Sequence, residues 1–304
     1  MKKENIGLIL VVVIIIFLVI AWMMLLGDLH LLKKDINSQK RVIDFEKRLN
    51  NYYPLADDRF YIDHGEDYFA FFERLGELYY MAKIDSRQRI VGTVACVLRS
   101  IQLLDPLFFN PLQKRIKVWY IGDLKLDPKY RNQRFPFKLF FKYGMQFWSK
   151  SSRVYAISMD SGSKPNRILK LVQKIPFGDF KSGGKLYIYT INYKELKTID
   201  QILKRYFGPY HFVNLANIKD LILESTGRKM NIKHLVRDCY SKNKNSSMRI
   251  SRKRSQNLFM FCVHSSNGLV ETLKKAGITT NTSATIIHRQ MDNTDWNFIN
   301  TSEL

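Results

Sequence analysis

The chain is poor in cysteine and in acidic residues, and it lacks the short motifs that mark common cofactor and metal sites. Its 304 residues hold three cysteines, Cys96, Cys239 and Cys262, an odd number at no Cys-x-x-Cys spacing. That excludes a disulfide framework or a cysteine-rich zinc site, and it suits a reducing compartment. There is no Walker A loop, no His-Glu-x-x-His helix, no Gly-x-Ser-x-Gly elbow and no EF-hand loop. Each absence removes a class of chemistry: P-loop phosphoryl transfer, zinc proteolysis, serine hydrolysis on a nucleophile elbow, and calcium sensing. Acidic side chains number 27 against 49 lysines and arginines, a net charge of +22. Such a surplus suits an anionic partner, whether nucleic acid, a nucleotide cofactor or acidic lipid, or simply a lysine-rich solvated surface. No zinc-finger or helix-turn-helix pattern accompanies the charge, so nucleic acid is the weakest of these readings.

What is present begins with residues 6–26, an uncharged apolar run with a single glycine. At about 1.5 Å per residue a helix of this length spans a hydrocarbon core of about 30 Å. The run exceeds the short core of a signal peptide, and the GDLHLL that follows has no small-x-small cleavage pattern. One transmembrane anchor over 1–27 is the expectation, with membrane lipid as its partner. Lys33, Lys34, Lys40, Arg41, Lys47 and Arg48 outweigh Lys2 and Lys3, which Glu4 offsets. The positive-inside rule then puts the C-terminal side in the cytoplasm.

With 46% apolar and 13% aromatic residues, the rest of the chain can bury a core. Residues 28–55 read as a juxtamembrane stalk carrying Leu29, Leu32, Ile36, Val42, Ile43, Phe45 and Leu49. An aromatic helix is expected within 65–78, then paired strands at 79–84 and 89–100 around a turn at 85–88. A strand at 117–126 closes at Pro128, which cannot donate to a ladder. A helix over 137–149, a strand over 154–159, a helix over 165–174, a turn region with Gly178, Gly183 and Gly184, and a strand over 186–192 follow. This order predicts an α/β domain with a mixed sheet over 56–195. In the C-terminal region, 196–304, the pattern predicts helices near 199–207, 218–223 and 232–238, and a basic loop at 241–255. A strand over 257–264, a helix over 268–276 capped by Gly277, a strand over 284–289 and an extended polar tail complete it. The strand-helix-strand pattern of 154–192 returns in 257–289, which suggests a duplication.

Chemistry concentrates in 120–144, where a strand runs through a donor-rich turn into a helix. Free N–H groups and the positive end of the dipole make such a helix start an anion site, and Arg131 and Arg134 add charge suited to phosphate. This stretch resembles motif A of the GNAT superfamily, the GCN5-related acyl-CoA N-acyltransferases. Leu124, Leu126, Asp127, Pro128, Tyr130 and Arg131 match its strand end. The turn that binds the coenzyme A pyrophosphate in the family falls on Arg131, Asn132, Gln133, Arg134 and Phe135. Arg134 and Pro136 stand where the family has glycine, so Arg134 either binds the phosphate or blocks it. The next helix and turn, with Asn166, also look like the family's, and the resemblance covers about 60–192.

The resemblance implies a GNAT-like mixed central sheet flanked by helices, with a second, degenerate GNAT-like half in the C-terminal region. It implies acetyl-CoA or a longer acyl-CoA as donor, held by Leu124, Leu126, Arg131, Asn132, Gln133, Arg134, Phe135 and Asn166, and an amine acceptor. A main-chain N–H at a strand bulge near Leu126 would polarise the thioester carbonyl, and Asp123 is the expected base. The family's tyrosine acid has no counterpart after Asn166, where Val172 and Gln173 stand; Tyr187 is the expected substitute, with Tyr189 beside it. His64, Glu66, Asp67 and Glu73 are further titratable groups on the substrate side. The alternative function class is a non-catalytic GNAT-fold module that binds a partner or anionic lipid at the membrane.

Overall fold

The computed structural model describes residues 28–49, 52–55, 58–103, 114–131, 135–160, 165–175, 178–238 and 257–304. The expected anchor at 6–26, Cys239 and the basic loop at 241–255 lie outside the described residues. Among the described residues no helix is long and apolar enough to cross a membrane.

Strands covered on both faces carry near-continuous apolar runs rather than a clean alternation, and RIVGTVACVL and KVWYIG are such runs. In chain order the elements are β1 (Leu29–Leu31), α1 (Ile36–Leu49), β2 (Tyr53–Leu55), β3 (Asp58–Asp63) and α2 (Ala70–Glu73). Then come β4 (Glu77–Ile84), β5 (Ile90–Leu103), β6 (Lys114–Leu126), α3 (Phe135–Lys150), β7 (Val154–Met159), α4 (Arg167–Val172) and β8 (Lys181–Ile191). The rest are α5 (Tyr193–Phe207), β9 (Tyr210–Val213), β10 (Asp220–Leu223), β11 (Ile232–Arg237), β12 (Leu258–His264), α6 (Leu269–Lys275) and β13 (Ser283–Arg289). Ten strands form one mixed sheet in the order β1-β4-β5-β6-β7-β13-β8-β12-β11-β9, and β10-β3-β2 form a small second sheet. The pairs β6–β7 and β11–β12 are parallel.

Helices pack on both faces of the large sheet. Under α3, Trp119 and Phe135 pack with Val94 and Cys96. On the opposite face lie Val42 and Phe45 of α1, Tyr68, Phe72 of α2, and Trp296 and Phe298. A separate core joins α5 and α6 to β12 through Leu203, Leu273, Phe259 and Phe261.

Five expectations need correction. The region expected to be a stalk is part of the domain, because Val42 and Phe45 are fully buried; burying two such side chains contributes about 1.5–3 kcal/mol each. The 65–78 helix shrinks to α2, since β4 already begins at Glu77. Gly183 and Gly184 lie inside β8 rather than in a turn. Residues 220–223 and 232–237 are strands, because their hydrogen bonds go to β3 and to β9 and β12. The polar tail is folded: Trp296–Phe298 and Thr301–Glu303 are 3-10 turns, buried among the core aromatics.

The two similar strand-helix-strand stretches are β7-α4-β8 and β12-α6-β13. They are not side by side but interleaved, because β13 pairs with both β7 and β8. No cut at 195 leaves the first sheet complete.

The last turn is held by a buried ion pair. Arg99 of β5 donates to both Glu303 carboxylate oxygens, at 3.0 and 2.7 Å, and also to the Tyr155 hydroxyl. Removing one member strands the other charge. Glu303→Ala should therefore lower unfolding stability by about 3–5 kcal/mol, measured by chemical denaturation. A loss below about 1 kcal/mol would show the pair to be solvated.

Candidate functional site

A defect in pairing opens the sheet between β6 and β7. The two strands are in register only from Trp119 to Ile121 against Val154 to Ala156, yet β6 runs on to Leu126 and β7 to Met159. The cause lies on the other edge of β6. Thr93 pairs with Lys125 but Ala95 pairs with Gly122, so Asp123 and Leu124 share the place opposite Val94. Asp123 takes up the extra residue with φ +52, a left-handed backbone that aspartate tolerates better than most residues. A bulge of this kind bends the strand and re-aims its side chains.

A cavity of about 820 Å³ passes through the opening, within the range of roughly 300–1,000 Å³ for small-molecule sites. On the α3 face it is lined by Val94, Cys96, Trp119, Phe135, Leu139 and Phe147. On the other face it is lined by Tyr53, His64, Phe71, Phe72 and Lys219. Gly122, Asp123, Leu124 and Lys125 stand at the passage between them.

The bulge places a polar cluster in this apolar setting. Asp123 Oδ2 accepts from the Tyr80 hydroxyl at 2.5 Å and lies 2.8 Å from the Tyr68 hydroxyl. Tyr68 is also 2.8 Å from Glu46 Oε1, and its one proton serves one carboxylate at a time. Lys125 Nζ is 2.5 Å from Asp123 Oδ1 and is also paired with Glu46. Burial pushes the Asp123 carboxyl well above the usual carboxylate range, against the pull of the Tyr80 and Tyr68 hydrogen bonds. Burial likewise lowers Lys125 and raises both tyrosines. The pair is thus drawn toward the midpoint region where proton transfer is efficient.

Two more titratable groups line the far face. His64 is pushed down to about 4 by burial and by Lys219, so it is a neutral imidazole, and its Nδ1 has no hydrogen-bond partner among the described residues. Lys219 is lowered to about 7 by burial; its ammonium group bonds to the Leu304 main-chain oxygen and lies 5.3 Å from the Phe71 ring centroid.

Of the residues singled out in the sequence, Asp123, Leu124, Phe135 and His64 line the cavity. Leu126 does not: it packs against Gly92, where a Cβ would sit 2.7 Å from its Cδ1, and the bulge lies at Asp123–Leu124 instead. Arg131 is exposed at the end of the Pro128–Tyr130 turn, away from the lining. Asn132, Gln133 and Arg134 lie outside the described residues. Asn166 is the cap of α4, accepting from Ile168 N at 3.1 Å and Leu169 N at 3.2 Å while donating to Asp160 Oδ1 at 3.1 Å. It thus acts on the cavity through Ile168 and Val172, which line it. Tyr187 is directed away. In β8 successive side chains alternate, so Leu186 and Ile188 enter the α1-side core and Tyr187 and Tyr189 join the α5–α6 core. Asp67 holds the turn before α2 by accepting from Phe69 N at 3.0 Å and Ala70 N at 3.2 Å, Glu73 pairs with Lys34, and Glu66 is exposed.

Sequence reasoning missed Lys125, Tyr68, Tyr80 and Glu46. Tyr68 and Tyr80 sit in apolar runs that read as plain core, and Glu46 sits on a helix that read as solvated. Lys125 alone left a trace: it is a charge two residues from Asp123 in the mostly apolar stretch from Val118 to Leu126.

The carboxyl of Asp123, followed by carbon-13 NMR, should titrate well above the ordinary aspartate value of about 3.9. Tyr80→Phe should raise it further, since the lost hydrogen bond favours the ionised form. A titration near 4 in the folded protein would remove Asp123 as a base poised near neutrality.

No protein-family model matches the chain. Among solved structures it is similar to Saccharomyces cerevisiae N-myristoyltransferase with bound myristoyl-CoA, at 10% identity and TM-score 0.48, over 86% of this chain and 83% of that one. It is similar also to a GNAT-family acetyltransferase from Staphylococcus aureus, at 15% identity and TM-score 0.31, over 51% of this chain and 85% of that one. In sequence it is 30% identical over 244 residues to uncharacterized protein L340 of Acanthamoeba polyphaga mimivirus, covering 78% of this chain and 68% of that protein. At that identity and coverage the chain belongs to the same protein family as mimivirus L340.

Proposed function

We propose that this protein is an acyl-CoA-dependent N-acyltransferase that moves an acyl group from the coenzyme thioester to an amine. The observation that carries the reading is the passage through the sheet at the β6 bulge. Two reactants reach one buried carboxylate from opposite faces, with donor under α3 and acceptor on the α1–α2 side. The Leu124–Arg131 motif at the end of β6 agrees with it.

In this reading the amine attacks the thioester carbonyl beside the bulge. A main-chain N–H left without a ladder partner there polarises the carbonyl oxygen. Asp123 takes the proton of the attacking amine. The C–N bond forms, the C–S bond breaks, and Lys125, made a better donor by burial, protonates the leaving thiolate. Tyr80 and Glu46 hold Asp123 and Lys125 in place. Holding both reactants in one walled passage supplies proximity and excludes water.

Acyl-CoA binding to the full chain, followed by calorimetry, tests the reading first. Release of coenzyme A thiol with a panel of amines tests it next. Asp123→Asn should keep acyl-CoA binding and lower transfer by about 10²–10⁴-fold. In the parent chain the rate should fall as pH drops through the raised Asp123 titration, because the base becomes protonated. A folded sample that binds no acyl-CoA would sink the enzyme and favour a non-catalytic module that binds a partner or anionic lipid.

We further propose that residues 6–26 cross the membrane once and leave the domain in the cytoplasm. The uncharged run and the basic residues after it support this. The chain should stay in the membrane pellet after alkaline carbonate extraction, and protease added to sealed cells should spare the domain. Release by carbonate would remove the anchor.

A further inference from the structure

The chain enters the large sheet at one corner, and that entry is fixed from its first described residue. β1 is an outermost strand. Just before it, the Asp28 main-chain oxygen accepts from Ile84 N at 2.9 Å. The Asp28 carboxylate pairs with Lys83 of β4 and, at 3.3 Å, with Lys138 of α3. Leu29, His30 and Leu31 then run antiparallel to Lys83, Ala82 and Met81. Only Gly27 separates Asp28 from the uncharged run at 6–26. Two peptide steps span at most about 7 Å, so whatever holds Leu26 also holds this corner.

The same corner gathers the β4–β5 turn and the end of β6. Ile84 pairs with Ile90 across residues 85–88, and Gly92 pairs with Leu126. Asp127 N donates to Val91 O at 2.9 Å, and the Tyr130 hydroxyl reaches Asp85 Oδ2 at 3.4 Å. Arg87, Arg89, Lys129 and Arg131 are exposed here. Two arginines of α1 reach the same turn: Arg41 donates to Gln88 O at 2.9 Å and Arg48 to Ile90 O at 2.7 Å. The acids are fewer. Asp85 is paired with Arg89, Asp127 accepts from Lys129 N at 2.9 Å, and Asp44 is exposed on α1.

Charge alone selects no face, since basic residues outnumber acids across a chain of net charge +22. The join selects one. A basic residue beside an anionic leaflet raises affinity by about fivefold, and the attraction fades beyond about 8 Å at physiological salt. Cations next to the join are placed to use it. Lys117 is not: it is exposed about 30 Å back along β6 from Leu126, at about 3.3 Å per residue.

We propose that this corner, made of the 85–88 turn, the start of β1 and the end of β6, is a docking surface for an anionic phospholipid leaflet, and that it seats the domain with this end of the strands toward the membrane. The proposal rests on the membrane-span reading of residues 6–26 and adds which face of the domain meets lipid.

The test places the full chain, with Cys239→Ser, in vesicles of phosphatidylserine or of phosphatidylcholine that carry nitroxide on some headgroups. Cys96 and Cys262 are buried, so a fluorescent thiol probe is put on Ser86→Cys or on Lys117→Cys. In phosphatidylserine the probe at 86 should be quenched at least about threefold more than the probe at 117, given the roughly 30 Å between them. Phosphatidylcholine should lower the quenching at 86 by about twofold or more, and so should Arg87→Glu with Lys129→Glu in phosphatidylserine. Equal quenching at 86 and 117, or more at 117, in a chain that floats with the vesicles overturns the docking face and leaves the anchor standing. Quenching at 86 that ignores both lipid charge and the two substitutions overturns the anionic partner. A chain that does not float with either vesicle overturns the membrane span itself, and the docking face with it.

Discussion

One residue too many in β6 is the constraint on which the rest depends. Asp123 and Leu124 stand opposite a single residue of β5, and the strain of that mismatch is relieved by turning Asp123 into the left-handed region. Two effects follow from the same bend. The strand separates from β7 beyond Ile121 and Ala156, which opens the sheet, and a carboxylate swings into the opening. A sheet is ordinarily a wall, since its ladder leaves no room between strands about 4.8 Å apart. Here the ladder itself makes the passage, and the helices on the two faces supply separate walls for whatever enters from each side.

The polar cluster at the passage is costly to bury and is satisfied from several elements. Tyr68, which precedes α2, Tyr80 of β4 and Lys125 of β6 all meet Asp123, and Glu46 of α1 joins them through Lys125 and Tyr68. An unpaired carboxylate in such a setting would simply stay protonated. Its partners keep the ionised form within reach, and through Glu46 they tie α1 to the centre of the sheet. The Arg99–Glu303 pair does for the last turn what Lys125–Glu46 does for α1.

Much of the first unit was legible in the sequence because its signals are local. Val154–Met159 was read with its observed bounds, and the turn at 85–88 and the Gly277 cap follow from residue chemistry that acts over a few positions. The bulge was expected near Leu126 and found at Asp123, because register is a relation between two strands and neither strand carries it alone. Tyr187 was misplaced for a related reason: one step along a strand exchanges one face for the other, and no local signal tells which face is which. The interleaving of β13 and the burial of Trp296 and Phe298 depend on partners far away in the chain. A segment as polar as 292–304 gives no hint of them.

The place of β13 has a consequence for how the chain acquires its structure during synthesis. β7 and β8 are made long before the strand that lies between them. Until β13 emerges, both expose unpaired edges, which are templates for wrong pairing. The contacts that close the sheet are of long sequence separation, so folding is slow and its completion waits for the last part of the chain. A chain stalled on the ribosome before residue 283 would hold the bulge and its aspartate, but the seam beside β7 would still lie open.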